Sequence, residues 1–376
     1  MNLTSLALLF ITVVALTITS VQTVLTLLFR RRGRFFAPGP RFRRADSFVS
    51  ILKPVCGLDD ELQQNLESFT RIRGVDYEVI ISVAGADDPA LEVVERVRLA
   101  HPRTPFRVVI GGDARLEDGN RKVARLIAAA RQAKGDILLI SDSNVRIESD
   151  DLLQTLESFD NPRVGCVSNL FTAARASSFG ARIETLHLLG FVVPGCVIAA
   201  FGRVPCVVGK SMAITREALD AIGGFARFAN VLAEDQAIGL AVREAGFGVT
   251  LSPVVVRNVV VKRTLKRALD RQIRWNKIRY AFSKAAYASE FLVNPLPFAI
   301  LTLQPSIAIA AASIRIAQMA LLGIATGAPL TWRELALVPL QDLLQFGAQF
   351  VPHFDDTVTW RGYEMRIGPN TELVAA

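Results

Sequence analysis

The sequence predicts an α/β domain that is held in a membrane by helices at both ends of the chain. Its 376 residues have a mean hydropathy of +0.34. Soluble globular chains usually have values below zero, so part of this apolar surplus is expected to lie in lipid. Residues 3–29 contain no charge, and about twenty apolar residues span a bilayer. From about residue 48, short apolar runs alternate with amphipathic stretches, which is typical of a parallel sheet flanked by helices.

An N-terminal transmembrane helix is predicted over 1–29, followed by a basic juxtamembrane linker over 30–47. Seven arginines and no acid lie between residues 30 and 44. Because basic residues favour the cytoplasmic side of a span, the N-terminus is expected outside the cytoplasm and the following domain inside it. A buried soluble helix is the alternative, but soluble core helices of this length are rare.

The α/β domain is predicted over 48–256. Strands are expected at 48–52, 77–83, 107–110, 136–142 and 247–252, and helices at 59–73, 89–100, 121–132, 215–222 and 234–244. Ligands bind at the carboxyl ends of parallel strands, and two acidic motifs follow strands of this kind. They are Asp87-Asp88 and Asp142-Ser143-Asn144.

The apolar segment 186–206 is interrupted by glycine, proline and Arg203. We interpret it as a pocket wall or a membrane-dipping segment, because a full span here would divide the α/β domain across the bilayer.

The C-terminal part is predicted to return to the membrane. A basic interfacial segment is expected over 257–290, since nine basic residues and one acid lie between 257 and 279. Two to three membrane segments are predicted over 291–354, where the uncharged stretches 291–314 and 316–332 are separated by Arg315. Prolines in this region allow re-entrant segments. Residues 355–376 form a tail.

Composition excludes a disordered chain, a collagen and a small disulfide scaffold. Four cysteines without C-x-x-C spacing and three distant histidines argue against a zinc or haem site, and the cysteines are expected to be reduced. The two basic stretches indicate contact with anionic phosphate. At this point nucleic acid, membrane headgroups and a diphosphate substrate are all candidates.

The acidic motifs fit the chemistry of sugar-nucleotide transfer. Such an enzyme needs oxygen ligands for Mg²⁺ or Mn²⁺ on a diphosphate, a base for the acceptor hydroxyl, and cations near the leaving group. Asp142, at the end of an apolar strand, fits the metal ligand. Asp235, at a helix start, fits the base. Arg271 and Arg274, beside Trp275, fit the cations near the leaving group.

Each motif also has a purely structural interpretation. Asp88 before a proline can cap a helix, and Asp142 can form an Asx-turn. Asp235 can be a first-turn acid favoured by the helix dipole. The arginines of 271–279 can form a solvated helix face. For each motif taken alone, a structural role is at least as well supported as a functional one. The four motifs together, in this order, favour an enzyme.

The motifs carry a resemblance over nearly the whole chain. The sequence resembles the ceramide glucosyltransferases, a membrane branch of the inverting GT-A glycosyltransferases in families 2 and 21. The similar stretches are LKPVCGLDDELQQNLESF (52–69), ADDPA (86–90), ISDSNVR (140–146), VGKSMAITREALDAIGGF (208–225), AEDQAIGLAVREAG (233–246) and RQIRW (271–275). The resemblance implies a Rossmann-like GT-A domain between membrane helices.

The resemblance also implies a role for each motif residue. Asp88 would contact the uridine, and Lys122 would reach the nucleotide or its phosphate. Asp142 would hold Mg²⁺ or Mn²⁺ with the diphosphate, and Asp235 would be the general base. Arg271, Arg274 and Trp275 would close over the diphosphate and the acceptor.

Two positions depart from the family pattern. Position 144 is Asn where a D-x-D motif has Asp, so the metal site has one charge less, although the amide oxygen can still bind a cation. Val193 precedes Pro194 where animal members have His, which leaves acceptor details open.

The resemblance implies a multi-pass membrane enzyme with a cytoplasmic catalytic domain, in the inner membrane if the chain is bacterial. It would transfer a hexose, with glucose expected, from a UDP-sugar to a hydroxyl of ceramide or a related membrane lipid, and nucleic acid would not be a partner. The alternatives are transfer to a hopanoid or diacylglycerol, a processive polysaccharide synthase, and, least favoured, a non-catalytic membrane scaffold.

Overall fold

The computed structural model of the chain describes residues 3–35, 47–112, 119–360 and 363–375. Residues 36–46 of the predicted basic linker lie outside this range. The described chain divides into two compact units. The sheet unit comprises Arg32–Phe171 and Ala199–Val260, and the helical unit comprises Met1–Arg31, Thr172–Ile198 and Val261–Ala376.

An eight-stranded sheet forms the centre of the sheet unit, in the order β3-β2-β1-β4-β7-β6-β8-β5. Its strands are β1 Val49–Val55, β2 Tyr77–Val83, β3 Phe106–Ile110, β4 Ile137–Ser141, β5 Val145–Arg146, β6 Val164–Ala174, β7 Ser211–Thr215 and β8 Gly248–Val259. The predicted boundary after residue 256 thus falls inside β8. The strands near the centre are buried on both faces, as in β1 and β4, which explains their mostly apolar sequences.

The sheet is mixed, whereas the sequence predicts a parallel one. Strands β1, β2, β3 and β4 pair in parallel, but β7 pairs antiparallel with both β4 and β6. No strand is predicted from the sequence at the positions of β6 or β7. The antiparallel entry of β7 brings the segment before Ser211 to the carboxyl end of β4.

Eight α-helical segments lie between the N-terminal helix and the end of β8 in the described residues. They are α2 Leu62–Ser68, α3 Ala90–Ala100, α4 Arg121–Ala130, α5 Asp151–Glu157, α6 Phe179–His187, α7 Val193–Phe201, α8 Arg216–Ala221 and α9 Glu234–Glu244, of which α6 and α7 are joined into one helix by a π-helical turn, Leu188–Val192. One apolar core packs α4 and α9 against the sheet through Leu126, Ile140 and Ile238.

The helical unit contains the long N-terminal helix and the C-terminal elements. Its further elements are α1 Leu3–Phe35, α10 Leu265–Phe282, α11 Lys284–Ser289, α12 Pro295–Leu301, α13 Pro305–Ala325, α14 Trp332–Leu335, α15 Val338–Ala348, and the three-stranded sheet β9 Thr357–Trp360, β10 Tyr363–Ile367 and β11 Leu373–Ala375.

Three helices in the described part of the chain are long and apolar enough to cross a membrane: Leu3–Arg31, Phe179–Phe201 and Pro305–Ala325. The second is 67% buried within the protein, against 17% for the first. Only one helix of this kind lies within 291–354, since α12 and α15 have 7 and 11 residues. The number of C-terminal membrane segments stays a prediction.

Helix α13 continues through Arg315, which separates two uncharged stretches in the sequence. The Arg315 guanidinium binds both oxygens of Asp342 on α15, at 2.8 and 3.1 Å. Ionisable groups within apolar helices are costly unless they face a partner in the protein interior. The pair therefore allows one helix where the sequence suggests a break.

Candidate active site

Lys122 is fixed at the first turn of α4 by the residue that begins that helix. The Asn120 side-chain oxygen accepts hydrogen bonds from the backbone N–H groups of Lys122 and Val123, at 3.0 and 3.3 Å. The Asn120 amide also donates to Glu234 Oε2 at 3.0 Å. One buried asparagine thus both caps the helix and joins it to the start of α9.

Two lysines hold the carboxylate of Asp142, directly after β4. Lys122 Nζ lies 3.0 Å from Asp142 Oδ1, and Lys210 Nζ lies 2.9 Å from Oδ2. Burial opposes ionisation of Asp142, but the two ammonium groups lower its pKa below the usual range. Asp142 is therefore ionised at neutral pH.

Lys122 also contacts a second carboxylate. Its Nζ lies 2.9 Å from Glu234 Oε1. Burial acts against the charge of Lys122, but Asp142, Glu234 and Asp235 together raise its pKa above the ordinary value. Lys122 therefore carries its charge at neutral pH.

Lys210 lies between the two residues expected to bind a metal. Its Nζ is 2.9 Å from Asp142 Oδ2 and 2.9 Å from Asn144 Oδ1. The two oxygens thus converge on one cationic group, and both are the type of ligand that Mg²⁺ and Mn²⁺ prefer. Within the described ranges, no group of three or more His, Cys, Asp or Glu side chains is placed to hold a metal ion. These donors fit a cation that takes its other ligands from a diphosphate and water.

Asp235 is held by backbone N–H groups at the start of α9. Gly209 N donates to Asp235 Oδ2 at 2.6 Å, and Gln236 N donates to Oδ1 at 2.8 Å. Burial and the neighbouring Glu234 charge raise the pKa of Asp235 to about 6, although Lys122 and the two N–H groups act in the opposite direction. A carboxylate with this pKa is well matched to proton transfer near neutral pH.

A third lysine, Lys53, lies beneath the site and is missed by the sequence analysis. This β1 side chain is fully buried; its Nζ donates to the Asp142 carbonyl oxygen at 3.0 Å and lies 3.9 Å from the centre of the Phe69 ring. Burial lowers the pKa of Lys53 to about 7, against the attraction of Asp142 and Asp59. A lysine inside an apolar strand is the signal that could have identified it, since lysine is almost never buried without a partner.

Asp88 has the capping role that its sequence context allows. Its Oδ1 accepts a hydrogen bond from Ala90 N at 2.9 Å, at the start of α3. Both carboxylate oxygens also accept from Gly57 N, at 2.9 and 3.0 Å. Asp88 therefore joins the loops that follow β1 and β2, and the predicted uridine contact stays a prediction.

The RQIRW motif lies on α10 in the helical unit. Arg271 is almost fully buried, and its guanidinium forms an ion pair with Glu184 on α6 and lies 4.7 Å from the centre of the Trp275 ring. Arg263 Nε lies 3.0 Å from the same glutamate. Arg271 is thus part of the interior of the unit and not of a solvated helix face. Arg274 is partly buried on the same helix.

Comparisons with known proteins agree with the resemblance. The family model described as glycosyl transferase family 21 matches residues 7–373. Ceramide glucosyltransferase 3 of Caenorhabditis elegans is 29% identical over 241 residues, covering 62% of this chain and 50% of that protein. An N-acetylglucosaminyltransferase of Rhizobium meliloti (strain 1021) is 27% identical over 264 residues, covering 67% of this chain and 58% of that protein. The chain spans about half the length of the curated relatives it matches.

The fold is similar to that of a solved glycosyltransferase. The mannosyltransferase of Pyrobaculum calidifontis, in complex with GDP-Man and Mn²⁺, has a TM-score of 0.54 and 19% sequence identity. The similarity covers 92% of this chain and 99% of that one. It confirms the predicted GT-A fold.

Gly209 offers a stability test of the site's packing. A Cβ at this position would lie 2.7 Å from Lys122 Nζ and 3.1 Å from Asp235 Oδ2, so Gly209→Ala must displace both groups. We expect a loss of about 1–3 kcal/mol, typical of overpacking, observed as a lower thermal unfolding midpoint in detergent. In the control Gly347→Ala, nothing lies within 4 Å of the new Cβ, and the midpoint should not fall. Equal midpoints for the two variants would contradict the close approach at Gly209.

Proposed function

This chain belongs to glycosyl transferase family 21, and on that premise we propose that it transfers a hexose from a UDP-sugar to a hydroxyl of ceramide or a related membrane lipid, with inversion at the anomeric carbon. Glucose is the favoured sugar because curated relatives are named ceramide glucosyltransferases. N-acetylglucosamine is the second candidate, since a relative of similar identity is named an N-acetylglucosaminyltransferase.

The donor diphosphate binds at the carboxyl end of β4. Lys122 and Lys210 supply two positive charges there, and Asp142 with Asn144 supplies oxygen ligands for Mg²⁺ or Mn²⁺. When bound, the metal neutralises charge on the leaving diphosphate. Asp88, which joins two neighbouring loops, lies at the uridine end.

Asp235 is the general base, and the observation that carries the proposal is its environment. A carboxylate with a pKa of about 6 is ionised at neutral pH and still basic enough to take a proton. Asp235 removes the proton of the lipid hydroxyl while the hydroxyl oxygen forms a bond to the anomeric carbon. The bond from that carbon to the diphosphate oxygen breaks, and UDP leaves. A single displacement inverts the configuration at the anomeric carbon.

The helical unit binds the lipid acceptor and anchors the protein in the membrane. Helices α1 and α13 are anchored in the bilayer as part of a multi-pass arrangement, with the sheet unit in the cytoplasm, where sugar nucleotides are soluble. Because Arg271 forms an ion pair with Glu184 and lies against the Trp275 ring, we assign Arg271 to positioning Trp275. The family resemblance implies that Arg274 is a cation for the diphosphate and that Trp275 contacts the acceptor end.

Product analysis tests the function directly. Membranes containing the protein are incubated with ceramide and labelled UDP-glucose, UDP-galactose or UDP-N-acetylglucosamine. We expect a β-linked glucosyl lipid from UDP-glucose, and its formation should stop with chelator and resume with added Mg²⁺ or Mn²⁺. Parallel reactions use diacylglycerol and a hopanoid as acceptors. A product on these lipids but not on ceramide would overturn the acceptor assignment, and an α-linked product would overturn inversion.

Replacing Asp235 by Asn tests the base. The amide keeps the shape but cannot accept the proton, so turnover should fall by about 10²–10⁴-fold, while UDP binding should be retained because other residues hold the donor. Turnover and UDP affinity are measured on the same purified protein. The control is Asp220→Asn at an exposed position of α8. Normal turnover of the Asp235 variant would exclude it as base, and joint loss of UDP binding and turnover would move it to the donor site.

A further inference from the structure

We propose that the Lys210 ammonium group is a resident cation that occupies the divalent-metal position in the free protein and must leave it when metal and diphosphate bind together. The inference deepens the proposed function and rests on it. It assigns to Lys210 a positioning role that regulates access to the metal site.

The position of Lys210 carries this inference. Its Nζ contacts Asp142 Oδ2 and Asn144 Oδ1, each at 2.9 Å. These are the two oxygens that the motif after β4 offers to a metal. Two like charges cannot share this position, because repulsion between cations a few ångströms apart is strong in a partly buried site. Metal binding therefore requires the ammonium group to move.

The charges around Lys210 show why a metal alone is a poor replacement. Lys122 and Lys210 bring two positive charges, and Asp142 and Glu234 bring two negative charges in the same chain of contacts. The sum is zero when all four are ionised. Once the Lys210 ammonium group has left, the other three groups sum to −1, so a divalent cation alone leaves one uncompensated positive charge, whereas a diphosphate arriving with it compensates that charge and gives Lys210 a new anionic partner.

Asn144 strengthens this arrangement. An aspartate at this position would add a negative charge that favours a metal in the absence of nucleotide. With an amide, Asp142 is the one carboxylate of the three-residue motif, and it already contacts two lysines. The departure of position 144 from a D-x-D motif thus makes the metal site depend on the diphosphate.

The same segment connects the metal position with the base. Gly209 N donates to Asp235 Oδ2, and the Lys210 carbonyl oxygen accepts from Asp142 N at 3.3 Å. The backbone of residues 209–210 thus remains tied to both acids while the long lysine side chain can turn toward a phosphate. Withdrawal of the Lys210 ammonium group therefore requires only a change of side-chain conformation, and β7, which begins at Ser211, stays folded.

Metal and nucleotide are consequently expected to bind cooperatively. UDP should raise the affinity for Mn²⁺ by about tenfold or more, and Mn²⁺ must raise the affinity for UDP by the same factor. Removing the charge of Lys210 should strengthen the binding of Mn²⁺ alone and reduce the effect of UDP.

The experiment titrates the full chain in detergent with Mn²⁺ alone and with Mn²⁺ plus UDP, and measures free Mn²⁺ by electron paramagnetic resonance. Lys210→Met and Lys210→Gln should each bind Mn²⁺ alone about tenfold more tightly than the unchanged protein. Two neutral variants are used so that the test remains possible if one of them does not fold. Lys210→Arg keeps the charge and should bind Mn²⁺ as weakly as the unchanged protein, and the exposed control Lys134→Met should leave every affinity unchanged.

Contradictory outcomes separate this inference from the proposed function. If UDP binds and folded Lys210→Met and Lys210→Gln have the same Mn²⁺ affinity as the unchanged protein, the resident-cation role is overturned and the transferase proposal stands. The role is also overturned if Lys210→Arg binds Mn²⁺ as tightly as the neutral variants. If the unchanged protein binds no UDP with or without Mn²⁺, the proposed function itself fails.

Discussion

Lys122 places one positive charge between two carboxylates from distant parts of the sequence, Asp142 after β4 and Glu234 at the start of α9. Asn120 caps helix α4, which fixes the position of Lys122, and its side-chain amide also donates a hydrogen bond to Glu234. Each carboxylate can stay ionised in this poorly solvated position because the ammonium group compensates its negative charge. Glu234 is buried and Lys122 and Asp142 are partly buried, and a charge that loses its partner in such a position is destabilising, so the geometry of the whole site depends on this contact.

The charges of this network also separate the properties of two aspartates. Asp142 contacts two lysines, and its pKa is lowered, which suits a permanent anion. Asp235 accepts hydrogen bonds from backbone groups beside Glu234, and its pKa is raised to about 6, which suits a base. Two carboxylates with opposite shifts in one site are a pattern of acid–base enzymes. The resident-cation role of Lys210 extends the same logic to the metal position.

The sequence indicates part of this site directly. The acids stand out because Asp142 ends an apolar strand and Asp235 begins an amphipathic helix, and the strand 77–83 is predicted with its observed bounds. The antiparallel strand β7 is not predictable from alternating helices and strands, and it is this strand that brings Lys210 to Asp142. Likewise, the sequence shows Arg271 as basic but not its pairing with Glu184, 87 residues away, because such contacts depend on tertiary packing.

The pH dependence of turnover at limiting substrate, that is of kcat/KM, tests the account most directly, because kcat/KM reports the pKa of a group in the free protein. Since Asp235 must be ionised to accept a proton, turnover should fall as the pH decreases through about 6, the raised pKa of this group. The fall should be about tenfold per pH unit below that value. An ordinary aspartate, with a pKa of 3.8, would keep turnover constant down to about pH 4.5. A constant rate between pH 7 and pH 5 in a protein that stays folded would contradict the assignment of Asp235 as a base with a raised pKa.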